Sequence, residues 1–96
     1  MLLSLIDNND MALHLAGRAK ALRLAANFSQ KTLAARTGVS EGSIKRFERS
    51  GEIALAALLK ISIALGCLEN FEPLFAPRAT PSLAQLTKPQ RARGRG

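Results

Sequence analysis

The sequence predicts an all-α fold of five short helices followed by a disordered basic tail, and three observations carry that expectation. Apolar residues recur at the i, i+3, i+4 spacing of a helix. Aspartate or serine stands where several of these segments begin, as helix caps require. Glycine or proline stands where they end. The expected organisation is an N-terminal arm over residues 1–9, a helical domain over 10–75 and a flexible basic tail over 76–96. A core of this size stands only if its helices pack well or dimerise.

Met1 to Ile6 is apolar and reads as a frayed terminus or a short arm that docks on the domain or its symmetry mate. It is too short for a secretory core, has no basic leader and runs at once into Asp7-Asn8-Asn9-Asp10, so no signal peptide or membrane span is expected. The acidic and amide side chains from Asp7 to Asp10 suit a helix N-terminus. The first helix then runs to about Asn27, with Leu15, Ala19, Leu22 and Ala26 as its inward stripe and Arg18 and Lys20 in water.

The most informative stretch is Phe28 to Ser50, two short helices joined by a glycine turn. Ser29 caps the first, which turns Leu33 and Ala34 inward, and Gly38 stops it because glycine adopts left-handed backbone at almost no cost. Val39 is a small apolar plug. Ser40 caps the second helix, in which Ile44 and Phe47 point inward and Glu41, Gly42, Ser43, Lys45, Arg46 and Arg49 face out. After the ERSGE break, Ile53 to Leu65 forms a fourth helix with too many apolar residues for one face, so some of Leu55, Leu58, Leu59, Ile61, Ile63 and Leu65 must meet a partner. Gly66 ends it, and Leu68 to Phe75 fits a short fifth helix. Pro77, Pro81, Pro89, Gly94 and Gly96 argue against any packed element beyond Ala76. SLAQL at Ser82 to Leu86 has the composition for one helical turn on a partner, while KPQRARGRG suits phosphate or solvent.

The formal charge is +7, and its distribution locates it. Arg18 to Arg49 holds eight basic residues against Glu41 and Glu48, and residues 76–96 hold five basic residues and no acid. Basic clusters of this kind favour phosphate partners. Cys67 is alone, so no disulfide framework or thiolate metal cluster forms within one chain, which fits a reduced, cytoplasmic setting. Its expected place is a small buried site. His14 has no ligand partner at metal spacing and reads as an exposed polar residue. There are no paired carboxylates, no nucleophile and base arrangement and no glycine-rich phosphate loop, so neither an enzyme nor a cofactor or metal site is expected.

A compact helix pair with a basic second helix has the dimensions to enter a DNA major groove. The pattern Ser29-Gln30, Leu33-Ala34, Gly38-Val39-Ser40, Ile44, Phe47-Glu48 and Gly51, continued by Leu55 to Gly66, resembles the lambda-repressor-like (XRE) family of helix-turn-helix regulators over roughly His14 to Phe75. The LGCLENFEPLF ending, followed by a proline-rich stretch and SLAQL, resembles HipB-type antitoxins, the regulators paired with HipA-type kinase toxins.

The resemblance implies roles residue by residue. Gln30, Glu41, Gly42, Ser43 and Arg46 fall on base-reading places, and Ser29, Lys31, Arg36, Ser40, Lys45 and Arg49 on phosphate-facing ones. Gln suits adenine, Arg guanine, and Glu cytosine. Gly42 departs from a side-chain reader, and Glu41 repels phosphate, so its alternative is to stabilise the helix N-terminus. The arginine at the place of Arg23, otherwise read as one more surface cation, pairs in that family with the glutamate matching Glu48. Ile63, Leu68, Phe71, Leu74 and Phe75 are expected either to cap the core or to form a dimer or partner surface.

The expected function is a sequence-specific transcriptional repressor that binds an inverted-repeat operator in double-stranded DNA as a homodimer. Within that class it is expected to act as a type II antitoxin that represses its own operon and neutralises a HipA-like kinase toxin. The alternatives are a phage-type or general regulator without a toxin and, in another class, a protein-interaction module that no longer binds DNA.

Overall fold

The structure, a computed structural model, describes residues 7–78, so the apolar segment before Asp7 and the tail from residue 79, with its SLAQL and KPQRARGRG segments, lie outside the described residues. Within them are four α-helices, α1 (Asn8–Ala25), α2 (Gln30–Thr37), α3 (Glu41–Ser50) and α4 (Leu55–Ala64), then a 3-10 helix over Leu68–Phe71, and no strand.

Local chemistry sets most boundaries. Asp7 caps α1 by accepting the Asp10 N–H at 2.8 Å, so Asn8 and Asn9, expected in the arm, form its first turn. Ser29 and Ser40 cap α2 and α3 by accepting the N–H groups of Thr32 and Ser43. Gly38 and Gly51 end the same helices in left-handed backbone, at φ 78° and 81°. α4 begins at Leu55 without a side-chain cap, two residues later than expected. Ile53 lies before it, outside any helix, and packs against the core.

The core joins the helix pair to α4. Leu33, Val39, Ile44 and Ile61 form one buried cluster, flanked by Phe28, Ala34, Ile53, Ala57, Ala64 and Leu65. α1 packs on α3, α2 bridges α3 and α4, and the 3-10 helix packs on α4. Phe47 and Ala16 are buried as well.

Two further expectations about the helices are corrected. The inward stripe of α1 is not Leu15, Ala19, Leu22 and Ala26. Leu15 and Leu22 are exposed, as is Ala26, Ala19 is half-buried, and the fully buried positions are Ala16 and Arg23. The reason is close approach: Ala12 of α1 lies against Gly51 at the end of α3, and a contact that tight takes alanines rather than leucines. The second correction is the fifth helix, which is only the 3-10 helix Leu68–Phe71 followed by turns through Phe75. Pro73 has no N–H for a helical bond, and its ring crowds the carbonyl four residues back, so the segment closes instead through bonds such as Glu72 N–H to the Glu69 carbonyl. Phe75 ends the turns at φ 65° and is almost fully exposed.

The excess of apolar residues on α4 is visible in the structure. Ile61 is buried and Leu58 and Leu59 are half-buried, while Leu55 and Ile63 are exposed. Leu68 and Leu74 add to the uncovered surface and Phe71 is half-buried. Cys67 is half-buried rather than buried. Among the described residues no helix is long and apolar enough to cross a membrane.

Candidate nucleic-acid interface

The helix pair is built around a turn held by its own side chains. Thr37 Oγ1 donates to the Leu33 carbonyl at 2.8 Å and accepts the Val39 N–H at 3.1 Å, while the Gly38 N–H closes on the Ala34 carbonyl. This pairs the Ala34 carbonyl, one of those a helix end leaves open, and the Val39 N–H, and Val39 enters the core. The direction of α3 is thereby fixed relative to α2.

A polar network then pins α3 to α1. Arg23 Nε donates to Glu48 Oε2 at 2.7 Å, Nη2 donates to Oε1 at 3.0 Å, and Nη1 donates to the Phe28 carbonyl at 2.7 Å. Both side chains are 7 % exposed. Gln30 Nε2 donates to Glu48 Oε1 at 2.9 Å, so the carboxylate has three donors. Burial alone would raise the Glu48 carboxyl's pKa. The hydrogen bonds from Arg23 and Gln30, with the charges of Arg23 and Lys20, outweigh it and hold the group below its ordinary value.

That geometry changes the picture of Gln30. It stands on the first turn of α2 as expected, but its amide is half-buried and bound to Glu48 rather than directed at solvent. That bond uses one of the two N–H groups of the amide, and the other, with the carbonyl oxygen, is the donor and acceptor pair that adenine recognition uses.

On α3, Ile44 and Phe47 face the core, and Gly42, Ser43, Lys45, Arg46 and Arg49 are exposed, with Glu41 half-buried. Glu41 is in the first turn, where a carboxylate meets the positive helix end, and it also lies 3.4 Å from Lys45. The Ser40 hydroxyl donates to Ser43 Oγ at 2.8 Å. Arg46 donates through Nε and Nη2 to Glu52 Oε1 at 2.9 and 2.6 Å. Nothing is within 4 Å of the place where a Gly42 Cβ would stand.

The residues expected to face phosphate are spread along both helices. Ser29 and Ser40 are occupied as caps, and Lys31 is exposed. The Arg36 guanidinium lies 4.5 Å from the centre of the Phe28 ring, a cation–π contact that restrains it on the surface.

Three features escape the sequence reading: Glu52 beside Arg46, Phe28 beneath Arg36, and the Thr37 hydroxyl in the turn. The first depends on how the chain bends at Gly51, which no periodicity expresses. The third had a local signal, because threonine often hydrogen-bonds nearby backbone.

Four helices, a glycine turn and an outward basic α3 define a DNA-binding class of domain. Residues 20–69 match the family model described as Helix-turn-helix, which is more than half of the 96-residue chain. The chain belongs to this family, the XRE-type helix-turn-helix regulators. The match starts inside α1 and ends within the 3-10 helix, so it takes in Arg23, Glu48 and the whole of α2, α3 and α4. No curated protein matches the chain.

Proposed function

We propose that this protein is a transcriptional repressor that reads an inverted-repeat operator as a homodimer, with α3 in the major groove. The observation that carries this reading is the division of α3: Ile44 and Phe47 are buried while Ser43, Lys45, Arg46 and Arg49 are exposed along one short helix. Arg46 and Ser43 suit base edges, with Gln30 in a supporting place, and Lys31, Arg36, Lys45 and Arg49 suit phosphate. One such helix grips few base pairs, so two copies on half-sites about one helical turn apart supply the specificity. The uncovered apolar surface of Ile63, Leu68, Leu74 and Phe75 favours self-association.

The same surface, with the HipB-like ending of the helical region, favours a second role as the antitoxin of a kinase toxin. Copurification with the product of the neighbouring gene separates an antitoxin from a free-standing regulator.

The test of the repressor reading is salt-dependent binding to the DNA upstream of the gene. Wild type is expected to prefer it over random duplex, and Arg46→Ala to erase the preference. A truncation before Ala76 is expected mainly to lower the salt slope, since the tail removed carries five basic residues. Wild type with no preference at any salt overturns the reading in favour of a protein-interaction module.

A further inference from the structure

We infer that Glu52 is the specificity-determining partner of Arg46, holding its guanidinium edge-on so that α3 selects guanine and is kept off the phosphate backbone. This rests on the DNA-reading function proposed above and adds a residue beyond α3 to the recognition surface.

The geometry is asymmetric. A guanidinium has five N–H groups in a rigid fork. Glu52 Oε1 takes the side edge, Nε at 2.9 Å and Nη2 at 2.6 Å. Of the three N–H groups that remain, two form the end edge, one on each Nη pointing the same way, which is the pair that matches the O6 and N7 acceptors of guanine. Both side chains are well exposed, Arg46 at 64 % and Glu52 at 63 %, so a base edge can reach the free end.

Glu52 is also held in place. Gly51 turns the chain at φ 81°, the Ser50 hydroxyl donates to the Arg46 carbonyl at 2.8 Å, and the Glu52 N–H approaches the same Ser50 oxygen at 3.4 Å. The end of α3 thus folds back on itself and brings residue 52 beside residue 46. A shallow depression opens there, with Ser43, Arg46 and Glu52 on its polar side and Ile53, Ala54 and Ala57 on its apolar side.

The neighbouring positions leave the task to Arg46. Lys45 leans toward Glu41 and Gly42 has no side chain. A carboxylate on a DNA-facing surface repels phosphate, and it thereby suppresses sequence-independent binding through Arg46. Orienting one edge and neutralising part of the charge act in the same direction. Specificity rises while general affinity falls.

The experiment uses the full chain and a randomised DNA duplex pool, followed by binding to the selected site and to its guanine-to-adenine variants. Wild type, Arg46→Ala, Glu52→Gln and Arg46→Lys are compared, with thermal melting to confirm that each is folded. Wild type is expected to select a guanine in each half-site, and Arg46→Ala to lose it. Glu52→Gln is expected to bind random duplex several-fold more tightly while its guanine preference at that position falls by roughly tenfold. Arg46→Lys, which lacks the fork, is expected to lose the preference despite keeping its charge. If Glu52→Gln keeps the full preference while Arg46→Ala loses it, the role of Glu52 is overturned and the DNA-reading function stands. If wild type selects no sequence at all, the function beneath it falls too.

Discussion

Arg23 and Glu48 are 25 residues apart in sequence and face each other across the α1–α3 contact through two hydrogen bonds of 2.7 and 3.0 Å. The third arm of the guanidinium holds the Phe28 carbonyl, so one side chain ties α1, the link before α2, and α3. Both side chains are nearly out of solvent, which makes the pair unequal in what its two halves can lose. Taking one partner away leaves the other charge buried without its counter-charge, with only Gln30 on Glu48 or the Phe28 carbonyl on Arg23 still bound. Glu48→Ala and Arg23→Ala should each lower the unfolding free energy by about 3–5 kcal/mol. Urea denaturation followed by circular dichroism measures the loss, and a cost below about 1 kcal/mol would place the pair among ordinary surface bridges.

Acid should act through the same carboxylate. The folded state lowers the Glu48 pKa, so its contribution is complete above the ordinary glutamate value of about 4.3 and is lost as pH falls through the lower folded value. The difference in stability between wild type and Glu48→Gln should therefore be constant at neutral pH and shrink below about pH 4. Denaturation curves taken in parallel from pH 7 downward read this directly, because the other carboxylates are common to both proteins. A difference that does not change with pH would remove Glu48 from the acid response.

Gly51 supports a sharper prediction. An alanine there would sit at φ 81°, with its Cβ 2.7 Å from the Ala12 Cβ and 2.8 Å from the Ala12 carbonyl carbon. Left-handed backbone costs a non-glycine residue about 1–2 kcal/mol, and overpacking adds about 1–3 kcal/mol. Gly51→Ala should destabilise by at least about 2 kcal/mol, and Ala12→Gly should restore only part of it, because the backbone carbonyl stays in the way. A melting temperature equal to wild type would mean that α1 is not seated against α3 as described.

Gly42 should behave in the opposite way. It stands within α3 with open space around it, so Gly42→Ala should stabilise the fold by about 0.5–1 kcal/mol. Specific DNA binding should nevertheless fall, because the added methyl group fills space between α3 and the base edges it is proposed to approach. Higher stability with unchanged affinity would place Gly42 away from the duplex.

How much of this the sequence discloses follows the range of the interaction. Ser29, Ser40 and Gly38 act on atoms a few residues away, so the boundaries around α2 and the start of α3 are readable from residue types. Ile44 and Phe47 are readable because every other position of α3 is polar or glycine. α1 is not, since Leu13, Leu15, Leu22 and Leu24 are distributed around it and no single line of them is favoured. Which line is buried depends on what α3 presents, and there Gly51 calls for a small neighbour. The same limit hides Glu52, whose place beside Arg46 exists only after the turn has formed.

The two sides of α3 answer to different demands, and this has an evolutionary consequence. Ile44, Phe47 and Glu48 hold the helix, while Ser43, Lys45, Arg46 and Arg49 take no part in the buried cluster. Substitutions at such exposed positions generally alter stability by no more than about 0.5 kcal/mol. Under the DNA-reading function proposed above, new operators are explored by single changes without passing through unfolded intermediates, and the scaffold is free to be inherited while its target drifts.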